Sequence, residues 1–116
     1  PTRRSSDLHT HINLLGWVEM AIFGAVYYLI PRLVRRSIYS LRLVKVHFWM
    51  HNLGLLGVVV FFSAAGLIGI FIDDDGELAA SRFMSLAGIF GSVVLLANII
   101  WGYNIYRTCN GWNRLK

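Results

Sequence analysis

The chain has 116 residues, 56% of them hydrophobic and 15% charged, with a formal net charge of +5 and a mean hydropathy of +0.56. Soluble domains run at about 45–50% apolar and about 25% charged, and a chain this short has too small a core to hide a run such as Leu53–Ile72. The same apolarity excludes disorder, so the composition selects an integral membrane protein.

The basic residues flank apolar runs, as they do around membrane spans, and no nucleic-acid motif accompanies them; nucleic acid is therefore set aside as a partner. A single cysteine, Cys109, permits no internal disulfide. Pro1–Asp7 is polar, and no short apolar stretch with a cleavage site follows it, so no cleavable signal peptide is read here. The chain opens at Pro1 without an initiator methionine, which leaves room for an upstream segment.

In chain order, the first apolar run is Leu8–Leu33, interrupted by His9, His11, Asn13, Glu19 and Pro31. Asp7 is placed to cap its N-terminus, and Pro31 with the basic residues after it is placed to close it. The second run has an amphipathic lead-in, Leu41–Asn52, followed by the clean stretch Leu53–Ile72. Asp73-Asp74-Asp75-Gly76 then reads as a sharp solvated turn. The third run is Phe83–Tyr106, with Asn98 its most polar interior residue. A helix needs about 20 apolar residues at about 1.5 Å each to cross a bilayer, and lipid leaves backbone groups no partners but their own. The expected fold is all-α, a single membrane domain over residues 1–116. Its three transmembrane helices should lie at about 8–33, 43–72 and 83–107.

Eight basic residues (Arg32, Arg35, Arg36, Arg42, Lys45, Arg107, Arg114 and Lys116) fall on one side of this topology, and three (Arg3, Arg4 and Arg82) on the other. The positive-inside rule then puts the first loop and the C-terminus in the cytoplasm, with the N-terminus and the acidic turn outside. Tyr27, Tyr28, Trp49, Trp101, Tyr103 and Tyr106 gather toward the cytoplasmic end, as an interfacial belt would. Ala65-x-x-x-Gly69, Ala87-x-x-x-Gly91 and Gly88-x-x-x-Ser92 have the spacing that lets membrane helices approach closely.

The most informative feature is His9-Thr10-His11. On an α-helix, residues two apart point about 200° from each other, so the two imidazoles cannot chelate one metal together. Each could ligate a different haem, or the pair could sit at the interface bound to headgroups or loops. His47 and His51, spaced i, i+4, share one helix face and form a second candidate site, for one metal or for axial ligation toward a symmetric partner. The other reading of that pair is two helix-end histidines of the amphipathic lead-in. Glu19 lies deep in the first run, where a carboxyl group must be protonated, paired or in a polar cavity. It reads either as a proton-relay or redox-tuning group, or as a hydrogen-bond partner of Asn98 or a hydroxyl on a neighbouring helix.

The block from His9-Thr10-His11-Ile12-Asn13-Leu14-Leu15-Gly16-Trp17-Val18-Glu19-Met20 to Tyr27-Tyr28-Leu29-Ile30-Pro31 resembles the tenth helix of haem-copper oxidase subunit I, most of all in cbb-type cytochrome c oxidases. Leu43-Val44-Lys45-Val46-His47-Phe48-Trp49 is similar to the start of the eleventh, and Tyr103–Thr108 to the close of the twelfth. The resemblance implies that His9 ligates a high-spin haem and His11 a low-spin haem, with iron in haem of the b type. The family's copper histidines and the second axial ligand of the low-spin haem lie on helices that have no counterpart here. The reading is therefore a haem-binding subunit of a respiratory-type electron-transfer complex in a prokaryotic inner membrane, its partners being lipid and other membrane subunits or a second copy of itself. Two alternatives stand beside it: a cofactor-free structural or assembly subunit, and a portion of a split oxygen- or nitric-oxide-reducing catalytic subunit.

Overall fold

The computed structural model describes residue 10 and residues 12–71 and 76–111. A π-helical stretch, Ile12–Val18, leads into α1 (Glu19–Leu33); α2 spans Leu41–Phe71 and α3 spans Gly76–Asn110. Among the described residues there is helix and connecting loop only, so the expected all-α class holds. Two of the helices, α2 and α3, are long and apolar enough to cross a membrane. The first run is divided between the π-helical stretch and the fifteen residues of α1.

The helix ends follow local chemistry, with two departures from expectation. Pro31 does not end α1, which continues to Leu33 with the proline in its last turn. There the missing N–H costs one hydrogen bond, and the chain is stopped instead by Arg35 in a left-handed conformation (φ 52°). Arg36 N–H then donates to the Pro31 carbonyl at 2.9 Å, and Arg35 N–H to Arg32 at 3.3 Å, which is the paired closure of a Schellman cap. At the other end of the molecule Gly76 opens α3, and the helix runs through Glu77–Arg82 before the apolar stretch begins. Asp73–Asp75, the rest of the expected turn, and Asp7, the expected cap, lie outside the described residues.

α2 and α3 pack antiparallel along most of their length, and α1 leans on the pair more sparsely. The inward positions step by four and three residues. On α2 they are His47, His51, Gly54, Val58, Phe61 and Ala65; on α3 they are Phe83, Ala87, Phe90, Val94, Ala97, Trp101, Asn104 and Thr108. This is the spacing of a coiled-coil seam. Its occupants are small or polar, while large apolar side chains such as Leu56, Leu67, Ile89 and Leu95 face outward. His47, His51 and Asn104 are the largest fully buried side chains. A polar inside and an apolar outside is the distribution that lipid as solvent favours.

The closest approach is made by Gly54 and Gly57. A Cβ on Gly54 would sit 2.8 Å from Val94 Cγ2 and 3.1 Å from the Phe90 carbonyl, and a Cβ on Gly57 would overlap the Phe90 ring. That ring stacks on Phe61 at 5.4 Å, and Phe61 in turn on Phe83 at 6.0 Å. Of the expected small-residue spacings, Ala65 and Ala87 are buried, whereas Gly88 faces open space and Ser92 only returns its hydroxyl to the Gly88 carbonyl at 3.1 Å.

Candidate functional site

The polar residues of the seam meet α1 on one face. Glu19, Phe23 and Tyr27 follow each other at i, i+4 and i+8, which stacks them along one side of the helix. Phe23 is 5% exposed and lies at the centre. Its ring is edge-on to His47 at 4.6 Å and to His51 at 5.3 Å, and tilted against Trp101 at 4.9 Å. One turn toward the basic loop, the Tyr27 hydroxyl and His47 Nδ1 share a hydrogen bond of 3.3 Å. Two of the six residues expected in an aromatic belt, Tyr27 and Trp101, thus turn inward; Tyr28, Trp49, Tyr103 and Tyr106 are exposed.

One turn the other way, the Asn98 amide donates to Glu19 Oε1 at 2.7 Å. Of the readings open for Glu19, a direct tie to Asn98 is what the structure contains. The tie is incomplete. Glu19 Oε2, Asn98 Oδ1, Trp101 Nε1 and His47 Nε2 are buried and have no hydrogen-bond partner among the described residues. A buried unsatisfied polar group costs about 1–3 kcal/mol, so four of them on three helices mark a place where something small completes the network.

The sequence-selected histidines divide. His9 and His11 lie outside the described residues. His47 and His51 are brought together, their rings 5.8 Å apart and 2% and 0% exposed. Enclosed by α1 and by Phe23, they offer a porphyrin-sized partner no approach from outside the bundle. Among the described residues no group of three or more His, Cys, Asp or Glu side chains converges as a metal cage would require.

The basic end is fastened by residues that sequence reasoning passed over. Ser40 N–H donates to Asn104 Oδ1 and Asn104 Nδ2 donates to the Ser40 carbonyl, both at 3.1 Å, while Tyr39 N–H donates to Thr108 Oγ1 at 3.0 Å. Arg32 lies over the Tyr28 ring at 3.8 Å, and Arg107 over Tyr39 at 4.8 Å. Asn104 and Thr108 could have been found by their seam spacing from Ala97, had polar residues been counted with the small ones.

Helices of this length, apolar outside and polar within, define an integral membrane bundle. The family described as "Cytochrome C and Quinol oxidase polypeptide I" matches residues 8–107, and the chain belongs to it. It is 37% identical to cytochrome c oxidase subunit 1 of Rhodobacter capsulatus, over 86% of this chain and 21% of that protein. A cytochrome c oxidase subunit 1 homolog of Agrobacterium tumefaciens (strain T37) is 35% identical, over 91% of this chain and 22% of its own length. The cbb3-type cytochrome c oxidase subunit CcoN1 of Stutzerimonas stutzeri is 32% identical, over 86% and 24%. The chain thus spans about a fifth to a quarter of the length of these relatives. No solved structure matches it significantly. The resemblance read from the H-x-H block, including its restriction to a fragment of the family's length, is borne out.

Proposed function

We propose that this chain is a haem-binding membrane subunit of a respiratory-type oxidase complex, with three spans, its N-terminus outside and its C-terminus in the cytoplasm. The observation that carries the reading is that the family match runs through residues 8–107 and therefore includes the whole H-x-H block. By the resemblance, His9 takes a high-spin haem and His11 a low-spin haem, of the b type. Bound haem supplies reversible one-electron chemistry, and the protein's part is axial ligation, burial and tuning of the potential. The second axial ligand of the low-spin haem comes from another subunit or a second copy.

The burial of His47 and His51 favours a packing role for that pair and leaves haem to the H-x-H block. The bundle tethers Glu19 to Asn98 and so holds a carboxyl group two turns along the helix from His11, where its charge or proton would tune a haem. The copper ligands of the family are supplied elsewhere, so catalysis needs partner helices.

The test is haem content and the reduced-minus-oxidised spectrum of the purified complex, for the wild type and for alanine at His9, His11, His47 and His51. His11→Ala should abolish or convert the low-spin spectrum, and His9→Ala, His47→Ala and His51→Ala should spare it. A wild-type complex without haem sinks the assignment in favour of a structural subunit. For orientation, cysteines placed at Ser6 and Asn113 in a Cys109→Ser background should label from opposite sides.

A further inference from the structure

We propose that Glu19, Asn98 and Trp101 enclose an internal water site at the centre of the bundle, and that this water is the mobile partner of the Glu19 carboxyl group. The inference stands apart from the haem assignment and uses only groups within the described residues.

Three buried polar atoms lie around one contact. Asn98 Nδ2 donates to Glu19 Oε1 at 2.7 Å, which brings the other oxygen of each group, Glu19 Oε2 and Asn98 Oδ1, to the same junction between α1 and α3. Trp101 is one turn from Asn98 on α3, and its ring is fixed by Phe23 at 4.9 Å, one turn from Glu19 on α1. Trp101 Nε1, Glu19 Oε2 and Asn98 Oδ1 all have no hydrogen-bond partner among the described residues.

The chemistry selects water. Two of these atoms accept and one donates, and a buried water typically makes about three hydrogen bonds, here one accepted from the indole N–H and two donated to the oxygens. The burial of the atoms selects size. Each is closed off by the chain's own atoms, so a porphyrin edge, a lipid headgroup or a side chain of another subunit cannot reach it. A groove of about 440 Å³ between α2 and α3, with Gly91, Val94 and Leu95 in its wall, reaches Asn98 and supplies room beside the junction. Asn98 alone would hold the carboxyl group as a fixed tether; the water gives it a partner that can reorient and exchange protons.

The experiment uses the full chain in lipid bilayers with ¹⁵N-labelled tryptophan, and reads magnetisation transfer from water to the indole N–H by solid-state NMR. Loss of one resonance in Trp101→Phe identifies Trp101 among Trp17, Trp49, Trp101 and Trp112. The wild-type Trp101 indole should receive transfer from water at short mixing times. Glu19→Leu and Asn98→Leu should each slow it about fivefold or more, and Glu19→Gln should keep it within about twofold. The resonances of the other three indoles report whether each variant has kept its fold; where one has not, the wild-type transfer decides. No transfer to Trp101 in the wild type, or transfer unchanged by both leucine variants, overturns the proposal.

Discussion

The side-chain amide of Asn104 pairs with the main chain of Ser40 in both directions, accepting from its N–H and donating to its carbonyl at 3.1 Å each. α3 thereby lends the loop between α1 and α2 the two hydrogen bonds that a neighbouring strand would provide. Thr108, one turn on, accepts from Tyr39 N–H and returns its own proton to the Asn104 carbonyl at 2.8 Å. Ser40 is also the N-cap of α2, its hydroxyl receiving Leu43 N–H at 3.4 Å, so the same residue starts one helix and is held by another.

Removing the amide should therefore be costly out of proportion to its size. Asn104→Leu strands both the Ser40 N–H and its carbonyl at a site where Asn104 is wholly buried. A loss of about 1–3 kcal/mol is expected. Asn104→Asp keeps the acceptor and loses the donor, and should fall between. Unfolding of the full chain in mixed micelles measures both; a Leu variant as stable as wild type would remove the clasp from the account of this fold.

The α2–α3 contact is set by glycine. A methyl group on Gly57 would meet the Phe90 ring, and one on Gly54 would press on the Phe90 carbonyl and Val94, both parts of the opposing helix that cannot move cheaply. Gly54→Ala and Gly57→Ala should each destabilise by about 1–3 kcal/mol, as overpacking does. Gly66, by contrast, has nothing within 4 Å of its would-be Cβ. Gly66→Ala should be neutral or should stabilise by up to about 1 kcal/mol through helix propensity. Equal effects at all three positions would argue against a close glycine contact.

The sequence carried the helices because their apolar runs are long, and it carried the membrane because their total is more than a small core can bury. It did not carry the packing, for a physical reason. In lipid, Leu and Ile are equally at home outside and inside, so hydrophobicity has no period along Leu53–Ile72, and the face that matters is written in glycine, alanine and polar residues. His47, His51, Gly54 and Ala65 mark that face at steps of four and three residues, and the expected small-residue spacings caught Ala65 and missed Gly54. Glu19 and Asn98 were each singled out as polar residues at membrane depth, and their pairing was one of two open alternatives. Phe23 gave no signal, being one aromatic residue among sixteen, and only the three-dimensional arrangement shows it between three helices.

Arg35 holds a left-handed conformation (φ 52°) that costs a residue with a Cβ about 1–2 kcal/mol. Glycine is the usual occupant of this place in the closure that Arg35 and Arg36 make. Arg35→Gly should raise stability by about 0.5–1 kcal/mol, net of the greater freedom glycine gives the unfolded chain. The same micelle titration reads it, and Arg35→Ala serves as the control, since it keeps the strain and removes only the charge. A gain shared equally by both variants would assign the effect to charge and not to the backbone.

Glu19 and Asn98 form the direct polar tie between α1 and α3, at 2.7 Å, on the side of the bundle where α1 packs most sparsely. Changing either residue alone leaves the other as a buried group with less to bond to, whereas changing both leaves an apolar contact. The costs should therefore not add. Interhelical hydrogen bonds in membrane proteins are worth about 0.6 kcal/mol on average and at most about 1.7 kcal/mol, and the coupling energy of a Glu19→Leu, Asn98→Leu double-mutant cycle should fall in that range. Glu19→Gln keeps an acceptor opposite the amide and should show little loss of stability, so any change it brings to haem potential in the assembled complex can be assigned to the lost carboxyl group. Additive costs, within about 0.3–0.5 kcal/mol, would mean that the two side chains do not depend on each other in the membrane. The carboxyl group would then have to be held by the complex around it.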